Sequence, residues 1–254
     1  QLTVGFSPER IKPTVKKPVD FESFWDKNLS KGELVEHISE TTLMPDLSTD
    51  RVDVFWVKLH CATEGNYIYG YLCKPKKEGK HPALLVPPGA GVKRTKLFNS
   101  YAEQGFTTIF IDIHGLSPLA DDETVKAMKD SLKNHVYSGM EDPENYYYKK
   151  VYLSCIRAID YLCMTDDVDC YNIGVCGESQ GGALAIVTAV LDKRVKFVTA
   201  FYPSMSDLIG YLHGRAGGCP AIFSPEYSSK LPVPIDVAVN TLSYYDVANF
   251  AQQL

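Results

Sequence analysis

Long apolar runs are missing from this chain of 254 residues. No stretch of about 18 apolar residues occurs, so no membrane-spanning helix is expected. No charged-then-apolar leader opens the chain. Its first residue is Gln1 rather than Met, which reads as a processed product or a piece of something longer. Cysteine is present but unorganised: seven residues, an odd number, with no C-x-x-C pair. That argues against a metal cluster and against a disulfide scaffold, and it leaves Cys155, Cys163 and Cys176 to read as small buried hydrophobes. Compartment stays open on this count. A strong charge of either sign is also lacking. With 26 Lys+Arg against 31 Asp+Glu the net charge is −5, which disfavours nucleic acid or an anionic membrane as partner. There is no P-loop lysine pattern, no internal repeat and no low-complexity tract.

The chain is organised around the stretch 172–185, in which a short apolar strand meets a tight turn at Ser179 and a helix rich in small residues. Gly177-x-Ser179-x-Gly181 has the form of a nucleophile elbow. The glycines fit a turn where side chains would collide with the neighbouring strand and helix. A hydroxyl lifted there sits over a helix N-terminus, whose free N–H groups and dipole favour a developing oxyanion. The plainer alternative is an ordinary strand-to-helix turn.

Four stretches are apolar on both faces, 83–86, 107–113, 173–176 and 196–201, and helical segments separate them (93–104, 146–164 and 180–191). This alternation predicts an α/β domain with a mostly parallel sheet covered on both sides. At this length one domain suffices. Residues 1–19, with Pro8, Pro13 and Pro18, read as an extended arm. A first helix over 20–31 follows, with Asp20 as N-cap and Phe21, Phe24, Trp25 and Leu29 on one face. Residues 52–74 read as a hairpin at one edge of the sheet. A final helix is expected over 241–254. The Gly- and Pro-bearing segments 115–145 and 203–238 remain as candidate caps over a site. Tyr146, Tyr147 and Tyr148 read as a core stripe sooner than as a sugar platform.

The loop after Val86, Pro87-Pro88-Gly89-Ala90-Gly91, suits an oxyanion donor better than a dinucleotide turn, because Arg94 stands where a third glycine would be needed. Ala90 and Gln180 are the candidate N–H donors. His114, at the tip of a central strand, could line a pocket or bond backbone in the next turn. His213 is the single histidine after Ser179, and it reads as a residue of the cap segment. Asp207, Asp236 and Asp246 read as helix-cap and loop carboxylates.

With these residues in view, the chain resembles the acetyl xylan esterase and cephalosporin C deacetylase family of carbohydrate esterases. The likeness rests on Val4-Gly5-Phe6-Ser7-Pro8, Asp20-Phe21-x-x-Phe24-Trp25, Ile68-Tyr69-Gly70, the run Gly177-Glu178-Ser179-Gln180-Gly181-Gly182-Ala183-Leu184, Arg194-Val195-Lys196-Phe197, and the segment from Tyr211 to Gly218. It implies an α/β-hydrolase fold, a serine acyl-enzyme mechanism and an acetylated oligo- or polysaccharide substrate such as xylan. It implies no metal or organic cofactor. A homo-oligomer is compatible with it, and a periplasmic or secreted location is favoured. Many members carry Arg-Gly-Gln where this chain has His114-Gly115-Leu116. The family's catalytic aspartate and histidine follow two further strands, beyond a helix that residues 243–251 resemble. The expectation is therefore a chain without those strands, with 196–201 as an apolar edge, and without activity on its own. Two rivals remain: a catalytically degenerate carbohydrate-binding module, and a peptidase or other acyl esterase of the same fold.

Overall fold

A computed structural model describes residues 10–33, 39–61 and 65–254. The Val4–Pro8 motif, His37 and part of the expected turn between the hairpin strands lie outside the described residues.

Among the described residues, seven strands form one sheet: β1 (Ser39–Leu43), β2 (Val52–His60), β3 (Tyr67–Pro75), β4 (His81–Val86), β5 (Thr107–Ile111), β6 (Val168–Glu178) and β7 (Val195–Phe201). Their order is β1-β2-β3-β5-β4-β6-β7. The strands β5, β4, β6 and β7 run parallel, while β1, β2 and β3 add antiparallel pairs. The fold is the α/β-hydrolase arrangement that the strand–helix alternation predicts. The expected hairpin is β2–β3. It is not the edge, because β1 lies outside it. All five residues of β1 are exposed, so β1 carries no buried alternation by which the sequence would reveal it.

Alternation along the strands sends neighbouring residues to opposite faces. Leu72, Ile109 and Ile111 join the large core, while Tyr71, Cys73 and Phe110 join a small one. Strand β2 serves both, with Val52 and Val54 in the small core and Val57 and Leu59 in the large one. The thick face is covered by α1 (Phe21–Glu33), α4 (Tyr147–Cys163), α5 (Gln180–Leu191), α6 (Ile235–Ser243) and α7 (Val247–Ala251). Trp25, Tyr152, Tyr245 and Phe250 meet there ring to ring, with centroids 5.4–5.8 Å apart. The indole N–H of Trp25 donates to the carbonyl of Tyr244. The thin face has little more than α2 (Ser100–Glu103) and Met44, Leu47 and Leu97.

Four expectations need correction. Only Ser100–Glu103 of the expected 93–104 helix is helical. Upstream, Arg94 is drawn away to the carbonyl of Ala120 (2.7 Å) and to Asp122 (2.6 Å). The 115–145 connector holds a helix, α3 (Asp122–Ser131), whose N-cap Asp121 accepts from the Thr124 N–H. The expected final helix is two helices. Asp246 interrupts it, capping α7 through Ala248 N–H and accepting from the N–H groups of Asp207 and Leu208. Finally, Cys163 is not a lone hydrophobe: it is disulfide-bonded to Cys170. The pair joins the end of α4 to β6 at a sequence separation of 7, a spacing that carries no motif.

The tyrosines 146–148 are buried in the thick core, as the core-stripe reading expects. Strand β7 pairs only with β6 among the described residues and leaves Phe197 and Phe201 exposed.

Candidate active site

Strand β6 ends at Glu178 and α5 begins at Gln180, so Ser179 carries the whole change of direction. Its φ and ψ are 54° and −121°. That is a region L-residues avoid, costing on the order of 1–3 kcal/mol unless the surroundings hold it. They do so from three sides. The Ser179 N–H donates to the carbonyl of Phe201 (3.0 Å), and its own carbonyl accepts from Ala183 (3.0 Å) and Ser204 (3.1 Å). The glycines explain why the turn is so tight. A Cβ on Gly177 would lie 2.4 Å from the Gly181 backbone, and one on Gly181 would lie 2.6 Å from the carbonyl oxygen of Pro87. Both obstacles are backbone, one in the buried helix α5 and the other in the loop that leaves β4, and neither can swing aside as a flexible side chain would. Ser179 is half-buried, and its hydroxyl has no hydrogen-bond partner among the described residues.

Gln180 is the first residue of α5, so its N–H has no preceding helical turn to bond. Its side chain is buried, and Oε1 accepts from the Tyr148 hydroxyl at 2.9 Å. This fixes the first turn of α5 against α4. The loop 87–91 passes over the elbow, and Pro87, Pro88, Gly89 and Gly91 line a cavity of about 500 Å³ at the C-terminal ends of the parallel strands. Ala90 is exposed and does not line it. A Cβ on Gly89 would be 4.0 Å from the carbonyl oxygen of Glu178 and 3.8 Å from Lys93 Nζ.

His114 lines the same cavity and also bonds within the following turn, so both sequence readings hold. Its N–H donates to Asp112 Oδ2, which also accepts from Gly115 and Leu116. Its Nδ1 lies 2.6 Å from the Tyr147 hydroxyl, and its Nε2 is buried without a partner. Burial, with help from His135 and Lys150, lowers its pKa to about 4, so the ring is neutral near pH 7. Asp112, at the end of β5 and almost fully buried, is raised to about 6 by burial against the pull of its backbone donors. The sequence does not single out Asp112, and it reads Tyr147 only as part of the core stripe 146–148. The only available signal is the position of Asp112 just past an apolar central strand, where site groups collect in open α/β sheets.

His213 ends a short 3-10 helix, Leu208–His213, and is exposed, with no hydrogen bond to Ser179. Asp207 serves structure, accepting from Thr14 and Val15 and pairing with Arg215. The structure thus places the 87–91 loop and His114 in one cavity with Gly177 and Glu178, the two residues before Ser179, and leaves His213 out of its lining.

The profile of the family described as acetyl xylan esterase (AXE1) matches residues 9–254. The chain is 42% identical over 265 residues to acetyl esterase Axe7A of Xylanibacter ruminicola, and it spans 58% of that relative's own length. Among solved structures, an acetyl xylan esterase from Paenibacillus sp. R4 superposes with a TM-score of 0.77 at 27% identity, covering 96% of this chain and 78% of that one. Acetyl xylan esterase 1 from Thermoanaerobacterium sp. JW/SL YS485 shares the fold, with a TM-score of 0.78 at 23% identity over 95% of this chain and 77% of that one.

Proposed function

Because the chain belongs to the acetyl xylan esterase family, we propose that its site removes O-acetyl groups from xylan-type oligo- and polysaccharides through a serine acyl-enzyme. The observation that carries this reading is the backbone of Ser179, held at φ 54° by contacts on three sides and following directly on Gly177 and Glu178, which line the cavity. Strain of this kind is kept where a side chain must point away from the sheet and toward a ligand. In the proposed reaction Ser179 Oγ attacks the acetyl carbonyl carbon as its proton passes to a base. The tetrahedral oxyanion is held by the Gln180 N–H and by a second N–H from the 87–91 loop, that of Ala90 or of Gly89. Collapse releases the sugar hydroxyl and leaves acetyl-Ser179. Water then attacks the ester, acetate leaves, and the serine recovers its proton.

The base is not among the groups brought to Ser179. His114 has Nδ1 committed to Tyr147, and His213 is exposed. This observation favours a second reading, a carbohydrate-binding module without turnover. The disulfide Cys163–Cys170 fits an oxidising compartment, periplasmic or secreted.

The test compares Ser179→Ala with the parent protein on acetylated xylo-oligosaccharides and on a chromogenic acetate ester. In the full-length protein the variant is expected to lose on the order of 10⁴- to 10⁶-fold in turnover. The 254-residue chain alone is expected to be correspondingly slow. Full activity in Ser179→Ala removes the serine mechanism. Glycan binding with no acetate release from the full-length protein supports the module.

A further inference from the structure

The chain as a whole is acidic, yet the wall of the elbow cavity is not. Lys93, Arg94 and Lys96 fall within four consecutive positions of the segment that leaves the 87–91 loop, and all three line the cavity. Their states differ. Arg94 is engaged by the Ala120 carbonyl and the Asp122 carboxylate. Lys93 and Lys96 have no acidic partner among the described residues, and both are exposed. Lys93 Nζ lies close to Gly89, 3.8 Å from where a Cβ there would stand.

The two acids that line the cavity are already occupied. Asp112 Oδ2 takes three backbone N–H groups, and the Glu178 carboxylate receives the Tyr202 hydroxyl. Both keep their charge, yet the lining sets three cationic side chains against these two carboxylates, and Lys93 and Lys96 are the cations left without an acidic partner. The remaining rim is aromatic, with Phe98 and Phe201 more than half exposed, which suits the apolar face of a sugar ring.

We infer that the cavity binds an acidic saccharide, an oligosaccharide bearing a uronate carboxylate, with Lys93 and Lys96 receiving the carboxylate beside the ester that Ser179 attacks. The inference rests on the deacetylase reading of the site and names its substrate class. A carboxylate offers lone pairs to several donors at once, and two flexible ammonium groups can meet it without a fixed geometry. Because the lysines are exposed, the attraction is modest and screened by salt. It should select among glycans sooner than create binding by itself.

The experiment is calorimetric titration of this chain with two unacetylated xylo-oligosaccharides of equal length, one neutral and one carrying a single uronate branch, at low and at high salt. The expected result is about fivefold tighter binding of the acidic glycan at low salt, a preference that shrinks at high salt. The double variant Lys93→Gln/Lys96→Gln should abolish the preference, so that the two glycans bind with equal affinity. Free acetate and a free uronate sugar serve as further probes. Binding of these as tight as that of the branched glycan would reduce the site to a general anion trap and overturn the inference. Equal affinity for both glycans, or a preference that survives the double variant, overturns it while acetate release in the full-length protein still stands. Failure of both glycans to bind removes the inference, and acetate release then decides the deacetylase reading separately.

Discussion

The two faces of the sheet are built to different standards. On the thick face five helices meet the strands, and Trp25, Tyr152, Tyr245 and Phe250 close on one another with no room to shift. On the thin face a one-turn helix and a few loop residues cover Val54, Tyr71 and Phe110. The cavity opens on the thin side, its wall including Val86, Phe98, Tyr101 and Phe110. Rigidity behind the elbow and slack in front of it divide the labour. One face fixes Ser179 and the other leaves space for a ligand. The difference also predicts how each face answers to damage.

Trp25→Ala should be the most costly change. It empties the centre of the thick face and leaves the Tyr244 carbonyl without its indole donor. Buried Trp-to-Ala changes cost about 3–5 kcal/mol, and surrounding rings that cannot collapse place this one toward the upper end. Urea denaturation measures it. A loss below about 2 kcal/mol would mean that the thick face is not the rigid side.

Next comes the seam between the two faces, where His114 sits. Its folded pKa is about 4, against about 6.5 when unfolded. Between those values the unfolded chain holds a proton that the folded chain does not, so this group lowers stability as pH falls from about 6.5 to about 4. Asp112 acts in the opposite sense. Its folded value of about 6 lies above the ordinary value near 3.9, so its protonation favours the fold on acidification. His114→Asn removes the first effect and leaves the second. The stability difference between pH 7 and pH 4 should change by up to about 3 kcal/mol in favour of the variant at pH 4. An unchanged difference would show that the ring is not buried in its neutral form.

The smallest effect is the most direct comparison. Phe250→Leu on the thick face and Phe110→Leu on the thin face are the same chemical change at two fully buried sites. The thin side can relax into the space, so Phe110→Leu should cost about 1 kcal/mol, and Phe250→Leu about 1 kcal/mol more. Equal costs would erase the distinction between the faces.

The same asymmetry decides what the sequence revealed. Stretches buried on both sides, 83–86, 107–111 and 173–176, declare themselves by continuous apolar character. Helix α5 matches its predicted span at both ends, because Ser179 and Asp192 mark them. Strand β1 stayed hidden because it buries nothing. The 93–98 segment reads as a helix in composition, yet its side chains are spent on the cavity wall and on Asp122. The break at Asp246 depends on bonds to residues 207 and 208, nearly forty positions away, and local pattern carries no trace of them. At the site, the elbow was legible because its glycines are forced by backbone contact. The role of Asp112 was not, since its three donors belong to a turn that exists only once β5 has ended.

Helix α5 buries ten of its twelve residues, and this bears on when the site can come into being. Such a helix has no face that prefers water, so it is at ease only when covered all round. Part of that cover is α7, with Phe250 wholly buried. During synthesis Ser179 emerges about seventy residues before Phe250 does. Throughout that interval the helix beneath the serine lacks one of its walls, and a strained turn has nothing firm to be strained against. The strained turn at Ser179 therefore waits on a segment about seventy residues further along the chain.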